Sequence, residues 1–492
     1  MVPKLNLILS LVCREYFIEK QSNDPTFVLP ILLGSDDAQC RIPEVQALAT
    51  KFTLYVTVIT GSLSAVMSPK LGSLSDRFGR LKLLTITSFG GFLGEIIVII
   101  TATYSESVSY KWLLLGAVFD GLCGSFTAGM ALTHAYATDC TPPAKRAVAF
   151  GYFHACLFSG IAVGPLVAAA LVKWSGSLIL PFYFALAIHT FFICFISLVV
   201  PESLIKKRQM VAREKHASEV GAFGDFARDH NMFTVILRRA NILAPLKILF
   251  PTGPGTSNYL RANLILLSSV DTIIFGSATG VITVIVYYLG YQFGWDTADI
   301  SAFTSLVNSC RVTALIVVLP LLNYLIRTRK ANRERRESGF ATPVPHSGSD
   351  NLDLAIVRTA VMLEVIGYAL YALVRSGPLF ICAGIIASLG GVGSPTLQSA
   401  LTKHVPHDKV GSLLGATGLL HALARIVCPL VFNLIYAATV GTFPQAVFVV
   451  LTGCFGVAFL CSWFIRPHGM LPFRFQQTRT RDKIVSIRIF SA

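Results

Sequence analysis

The sequence predicts an all-α polytopic membrane protein, and three observations carry that prediction. The 492 residues are 53% hydrophobic and only 14% charged, with a mean hydropathy of +0.64, whereas soluble proteins carry about 25% charged residues. A chain so long and so poor in charge cannot cover a surface that faces water, so its natural solvent is lipid. Eleven apolar runs are long enough to cross about 30 Å of hydrocarbon as helices. They lie near 47–69, 83–104, 112–137, 147–172, 178–200, 263–289, 299–326, 353–374, 378–402, 409–438 and 444–465. Most of the 41 Lys and Arg fall on alternate connections, at 70–82, 140–146, 201–261, 327–351 and 403–409, and on the tail after Arg466. That asymmetry marks these loops as cytoplasmic, and it turns the net charge of +15 into a topology signal rather than a nucleic-acid one.

Taken in order, residues 1–46 form a short N-terminal piece and a non-cytoplasmic loop, and 47–200 form an N-terminal helical bundle. A cytoplasmic central loop follows at 201–261, then a C-terminal helical bundle at 262–466 and a basic cytoplasmic tail at 467–492. The central loop carries Lys206, Lys207, Arg208, Arg213, Lys215, Arg238 and Arg239. Its piece 241–251 mixes Leu, Ile and Phe with Lys247, and reads equally as an interfacial helix or a solvated loop. Loop 327–351 starts basic and turns rich in Ser, Pro and Gly, which reads as flexible. Eleven cysteines are scattered, mostly within spans, where Cys behaves as a small hydrophobe. Cys13 and Cys40 share the first non-cytoplasmic segment, where a disulfide and two free thiols are both compatible with the spacing.

The two halves echo each other. Residues 124–133 (GSFTAGMALT) align with 393–402 (GSPTLQSALT), and each copy leads into a span carrying a His and then a Pro: His154 and Pro165, His421 and Pro429. This suggests two parallel repeats of six helices. Between the first two full spans stands Gly72-Ser-Leu-Ser-Asp76-Arg77-Phe-Gly79-Arg80-Leu-Lys82. The glycines permit a tight reversal, and Asp76 is an acid that charge-based orientation does not require, so it calls for a partner.

That loop resembles the signature of the major facilitator superfamily, G-x-L-[SA]-D-R-x-G-R-[RK], with Leu81 where a base is usual. The resemblance implies two six-helix bundles and a gating loop formed by Gly72, Asp76, Arg77, Gly79 and Arg80. It places Asp76 against the N-terminus of the eleventh helix, near Asp408, and Arg80 against Asp139 at the end of the fourth. A second motif, Gly151, Gly160 and Gly164-Pro165, resembles the antiporter motif of drug/proton exchangers, although Ala168-Ala169 replaces its final Gly pair. Physically, Gly160 and Gly164 offer a small face for helix contact and Pro165 a bend; packing alone is the competing reading. Where drug exchangers carry R-x-x-Q-G in the fourth helix, this chain has Ala117, Asp120 and Gly121. The run 120–124, with Asp139 and Arg146, looks more like the tetracycline-resistance and proton-coupled folate branches. The stretch from His134 to Asp139, with Pro201-Glu202-Ser203, looks like fungal members.

In that family the signature loop follows the second helix, but one full span precedes it here, and residues 1–13 are too short to cross. The chain is therefore expected to lack the first of twelve helices, through a truncated gene model or as a genuine eleven-span protein. A signal peptide is disfavoured because no small-residue cleavage site follows.

Ionisable residues inside spans are costly and are functional candidates by default. The acids are Glu95, Asp120, Asp271 and Glu364, and the bases Arg311, Arg358 and Arg425, with His154 and His421 between them. A proton-coupled carrier needs a buried acid that loads and releases near neutrality, which makes Asp120 and Glu95 first choices; structural ion pairs are the competing reading. Arg311 is expected to hold an anionic substrate group or to pair with Asp271. Arg358 and Glu364, six apart, do not share a face, and Arg358 is expected to snorkel to the edge. His189 reads as a packed residue.

The resemblance implies a monomeric secondary transporter of a small organic molecule in the plasma or vacuolar membrane, with protons as coupling ion and no cofactor or metal. Proton-coupled efflux is the first expectation; a proton-coupled importer and a non-transporting membrane sensor are the alternatives. The chain holds no H-E-x-x-H, no G-x-S-x-G and no P-loop, which argues against an enzyme.

Overall fold

The computed structural model describes residues 2–23, 40, 43–229, 241, 243–252, 256–295, 297–338 and 348–467. Regular structure among them is helical throughout. The first set comprises α1 (Val2–Asn23), α2 (Pro43–Phe78), α3 (Arg80–Thr103), α4 (Leu113–Leu122), α5 (Ser125–Cys140), α6 (Arg146–Ser175) and α7 (Leu180–Leu198). A linker helix α8 (Lys206–Asp229) leads to the second set. That set comprises α9 (Asn258–Phe293), α10 (Thr297–Thr313), α11 (Leu319–Asn323), α12 (Arg329–Ser338), α13 (Asn351–Leu373), α14 (Gly377–Leu389), α15 (Gly393–Thr402), α16 (Val410–Thr439) and α17 (Ala446–Trp463). Eleven segments among the described residues are long and apolar enough to cross a membrane. Their many lipid-length rows of exposed Leu, Ile, Val and Phe are what a bilayer, rather than water, would cover.

Three of the expected spans are interrupted, and each interruption has a local cause. The third breaks between α4 and α5 at Gly124 (φ 87°) and Ser125 (φ 52°), two consecutive left-handed residues that end one helix and start another. The ninth breaks at a 3-10 turn, Gly390–Val392, between α14 and α15. These are the echoed segments, so both sets break the same helix. The seventh span contains two π-helical turns, Ala314–Val318 and Tyr324–Thr328, on either side of Pro320, whose missing N–H disturbs the regular ladder.

The N-terminal piece is more ordered than a remnant: it is a 22-residue helix. Leu7, Ile8, Leu11 and Val12 recur at helical spacing and bury against Val45, Ala49 and Phe52 of α2, Val98 and Ile99 of α3, and Phe182. Arg14 donates to Ser105 at 2.6 Å and Glu15 accepts from Ser109 at 2.7 Å, and Cys13 is bonded to Cys40. The apolar run of residues 1–13 is too short to cross by itself, but its leucine spacing suits a helix with a groove to fill.

The central connection is also less loose than its composition suggests. Arg213 of α8 donates to the Arg77 carbonyl at 2.9 Å and covers the Phe78 ring, while Lys215 pairs with Asp408. α8 thus touches both sets at the end of the molecule that carries the basic loops. Segment 243–251 packs on the bundle more closely than a solvated loop would. It forms a 3-10 turn, Ala244–Leu249, whose Leu249 is buried beside Leu264, Val410 and Leu413, and whose Leu246 rests on Ala65, Leu419 and Ala422. The first part of loop 327–351 is helix α12. Positions 339–347 and the tail from 468 onward lie outside the described residues.

Candidate functional site

At the basic end, the 72–82 loop ties the two sets together. Gly79, at φ 103°, lets the chain turn from α2 directly into α3. Asp76 Oδ1 accepts from the Gly411 N–H at 3.2 Å, and Oδ2 accepts from the Ser412 N–H at 3.0 Å and its hydroxyl at 3.1 Å. An anion is thereby held at the N-terminus of α16, where the unpaired N–H groups and the helix dipole favour it. Arg80, 1% exposed, donates Nη1 to Asp76 at 2.6 Å and to Ser75 at 2.7 Å, and Nε to Asp139 at 2.9 Å. Close approach is achieved with glycine: a Cβ at Gly411 would collide with Arg80, Asp76 and the Gly72 carbonyl, and one at Gly415 would lie 3.0 Å from Pro69 and Ser68. Arg77 stays outside this cluster and donates to the Ser73 carbonyl at 3.2 Å.

The second set repeats the construction in different residues, which the sequence reading missed. Arg327 donates to both oxygens of Asp350 at 2.6 Å, to Asp353 at 2.7 Å and to Asn323 at 2.9 Å. It also reaches the first set, donating to the Ala144 carbonyl just before α6 at 3.1 Å. Lys403 lies 2.5 Å from the other oxygen of Asp353, and Asp350 and Asp353 form a capping box at the start of α13. Burial alone would push the Asp350 carboxyl up, but Lys403 and Arg327 hold it down at about 2. Burial drives the Lys403 ammonium down, against the pull of Asp353, and drives the His404 imidazole down to about 4. The signal that could have found this cluster is the spacing Arg327…Asp350-x-x-Asp353…Lys403, the second-half counterpart of Asp76, Arg80 and Asp139. Glu202 was also missed as a contact: it accepts from the Arg80 and Leu81 N–H groups at 2.9 and 3.2 Å and so caps α3.

Deeper in the molecule, the candidate ionisable residues gather where the two sets face each other. Asp271, fully buried, accepts from Ser394 at 3.3 Å and lies 3.0 Å from His421 Nε2. The His421 ring stacks on Phe275 at 4.2 Å. Arg311 does not pair with Asp271; it lies 3.8 Å from Glu364, with its guanidinium 4.8 Å above Phe158 of the first set. The reason is the break in the ninth span: Gly390 and Gly391 have no side chains, so Glu364 and Arg311 lie directly against them. Arg358 reaches the carbonyls of Ser462 and Ile465 and the Trp463 ring, at the edge of the bundle.

In the first set, Asp120 ends α4 and accepts from Ser125 across the break at 2.8 Å, with Arg425 of α16 within electrostatic reach. Glu95 lies within reach of Asp120, Lys4 and His189. His154 sits among Asp271, Arg311 and His421. It stacks at 5.3 Å on His134, a residue the sequence reading used only for resemblance. Gly151 packs on Leu319 and Leu315 of the second set. Gly160 and Gly164 do not form a contact face: a Cβ on either would meet nothing within 4 Å. The α6–α10 approach ends near the hydrogen bond from Ser305 to Ala162, and Pro165 lies beyond it inside an uninterrupted helix.

The comparisons with known proteins agree with this architecture. Residues 42–340 match the Major Facilitator Superfamily. The chain is 32% identical to the MFS-type transporter avaJ of Aspergillus versicolor, over 96% of this chain and 86% of the relative. It is 23% identical to a class H tetracycline resistance protein of Pasteurella multocida, over 84% of each chain. It is 22% identical to a proton-coupled folate transporter of Bos taurus, over 83% of this chain and 77% of the relative. The fold superposes on the human organic anion transporter MFSD10 with a TM-score of 0.63, at 18% identity, over 94% of this chain and 98% of that one. Two helical sets, latched at one end around a buried ionisable interface, are thus joined to a family match over most of the chain: this multi-pass membrane protein belongs to the major facilitator superfamily, whose members are secondary transporters of small solutes and not enzymes.

Proposed function

We propose that the protein exports a small organic molecule in exchange for protons, by alternating access, as a monomer in the plasma or vacuolar membrane with the basic end in the cytoplasm. The observation that carries this reading is the pairing of a glycine-lined, charge-latched closure at the basic end with acids buried at the interface between the sets. Breaking the Asp76–Gly411/Ser412 contact would let the basic end open. In this reading Asp120, on a broken helix and within electrostatic reach of Arg425 of the other set, exchanges a proton as the sets move. The tetracycline-resistance likeness favours export. The gained acid at Asp120, where exchangers carry a polar amide, favours the second reading, proton-coupled import.

The test is proton movement in proteoliposomes loaded with a pH-sensitive dye. A panel of organic anions, cations and neutral compounds is added under an imposed pH gradient. Export by exchange predicts a proton flux opposite in direction to the solute, abolished in Asp120→Asn while expression and folding persist. Co-directional flux reverses the sign to import, and solute movement with no proton flux for any compound removes proton coupling.

A further inference from the structure

Two imidazoles of the first set are buried with nitrogens that nothing satisfies. His134 and His154 are 1% and 6% exposed, and their rings stack 5.3 Å apart and 14° from parallel. Phe150 and Phe158 close over them at 4.3 and 6.4 Å. Nε2 of His134 and Nδ1 of His154 have no hydrogen-bond partner, a state that costs about 1–3 kcal/mol per buried polar atom. A site that needed only packing would be filled better by Leu or Phe.

The titratable groups that face the pair come from the other set. His421 of α16 reaches both rings, and Asp271 of α9 and Arg311 of α10 reach His154. Glu364 of α13 stands behind Arg311 and draws its charge away. The anion nearest the pair is therefore Asp271, which is fully buried and already bonded to His421.

We infer that His134 and His154 together form a second binding site for the coupling proton, alongside Asp120, whose counter-anion, Asp271, lies on the opposite half of the molecule. This rests on the proton-coupled reading above. Two rings this close hold one proton between them, because like charges at that distance repel. With the proton bound, the pair is cationic and is attracted to Asp271 across the interface. With the proton gone, the attraction is lost and the halves are freer to part at this level. Occupancy of the site thus becomes a preference between two arrangements of the halves.

The test is the distance across the basic end in the reconstituted full chain, by pulsed electron resonance between genetically encoded spin labels at Lys70 and Lys409, from pH 5 to pH 8. The wild type is expected to shift between two distance populations. H134Q and H154Q are each expected to move the midpoint by about one pH unit or more, a tenfold change in proton affinity, or to flatten it. H134F, which keeps the aromatic packing, separates lost titration from lost folding and is expected to behave as H134Q does. Wild-type midpoints in H134Q, H154Q and H134F would overturn the inference and leave proton coupling standing. A wild type whose distances ignore pH would overturn both.

Discussion

The two charge clusters at the basic end look like copies, yet they balance their charges differently. In the first set one base, Arg80, is paired with two acids, Asp76 and Asp139, Arg146 reaches only Asp139 electrostatically, and the remaining compensation for Asp76 comes from the N-terminus of α16 in the other set. In the second set two bases, Arg327 and Lys403, serve Asp350 and Asp353, all within that set, and one hydrogen bond to Ala144 crosses over. The first cluster therefore commits its anion to the opposite half and must lose contacts when the halves part. The second is balanced internally and can travel as a unit. One is built as a switch and the other as an anchor.

The largest effect expected from this difference is in Arg80→Ala. It leaves Asp76 buried without its ion-pair partner and Asp139 with Arg146 alone in electrostatic reach, and removing one partner of a buried pair costs about 3–5 kcal/mol. Thermal unfolding in detergent should show it as a large fall in melting temperature. Arg327→Ala is expected to cost less, about 2 kcal/mol, because Lys403 still neutralises Asp353. Equal losses in the two variants would erase the distinction between switch and anchor.

Acid should find the anchor at a histidine before it reaches a carboxylate. Asp350 is held at about 2, below its usual 3.8, so its contribution is present at neutral pH and is lost only as pH falls toward 2. His404 moves the other way. Its ring lies beside Asn263 and the Ala400 carbonyl, and burial holds it at about 4 against the usual 6.5. Between those values the unfolded chain binds the proton that the folded one refuses, so stability rises with pH across the window. The loss on acidification from above pH 6.5 to below pH 4 is expected to approach about 3 kcal/mol. His404→Asn should flatten that slope in pH-dependent melting curves, and an unchanged slope would assign the acid sensitivity elsewhere.

What was legible in the sequence follows the same physical line. The spans were legible because lipid demands long apolar runs, and the 72–82 loop because glycines and alternating charges at fixed spacing leave few alternatives. Pairings inside the bundle were not. Whether Arg311 meets Asp271 or Glu364 depends on helix rotation and on the bare backbone of Gly390 and Gly391, and a helix lined with small residues on several faces does not reveal its rotation. The helicity of α1 was lost for a simpler reason: length was used as the test, while the leucine spacing that fills a groove was not. His134 was passed over because periodicity does not fix which residues of a span face the other half, and the break at Gly124 resets the helix ahead of it.

The smallest effect belongs to the glycines that look most like a motif. Gly151 is packed, and a Cβ there would sit 2.8 Å from Leu319, so Gly151→Ala should lower the melting temperature of this state. At Gly160 and Gly164 a Cβ meets nothing within 4 Å, and Ala in place of Gly in a helix interior is favourable by about 0.5–1 kcal/mol. Gly160→Ala and Gly164→Ala are therefore expected to leave melting unchanged or raise it slightly. If the same variants suppress the pH-driven change in distance between Lys70 and Lys409, then the close contact their spacing suggests forms only after the basic end has opened, and the switch at Asp76 has a second packing face waiting on α6.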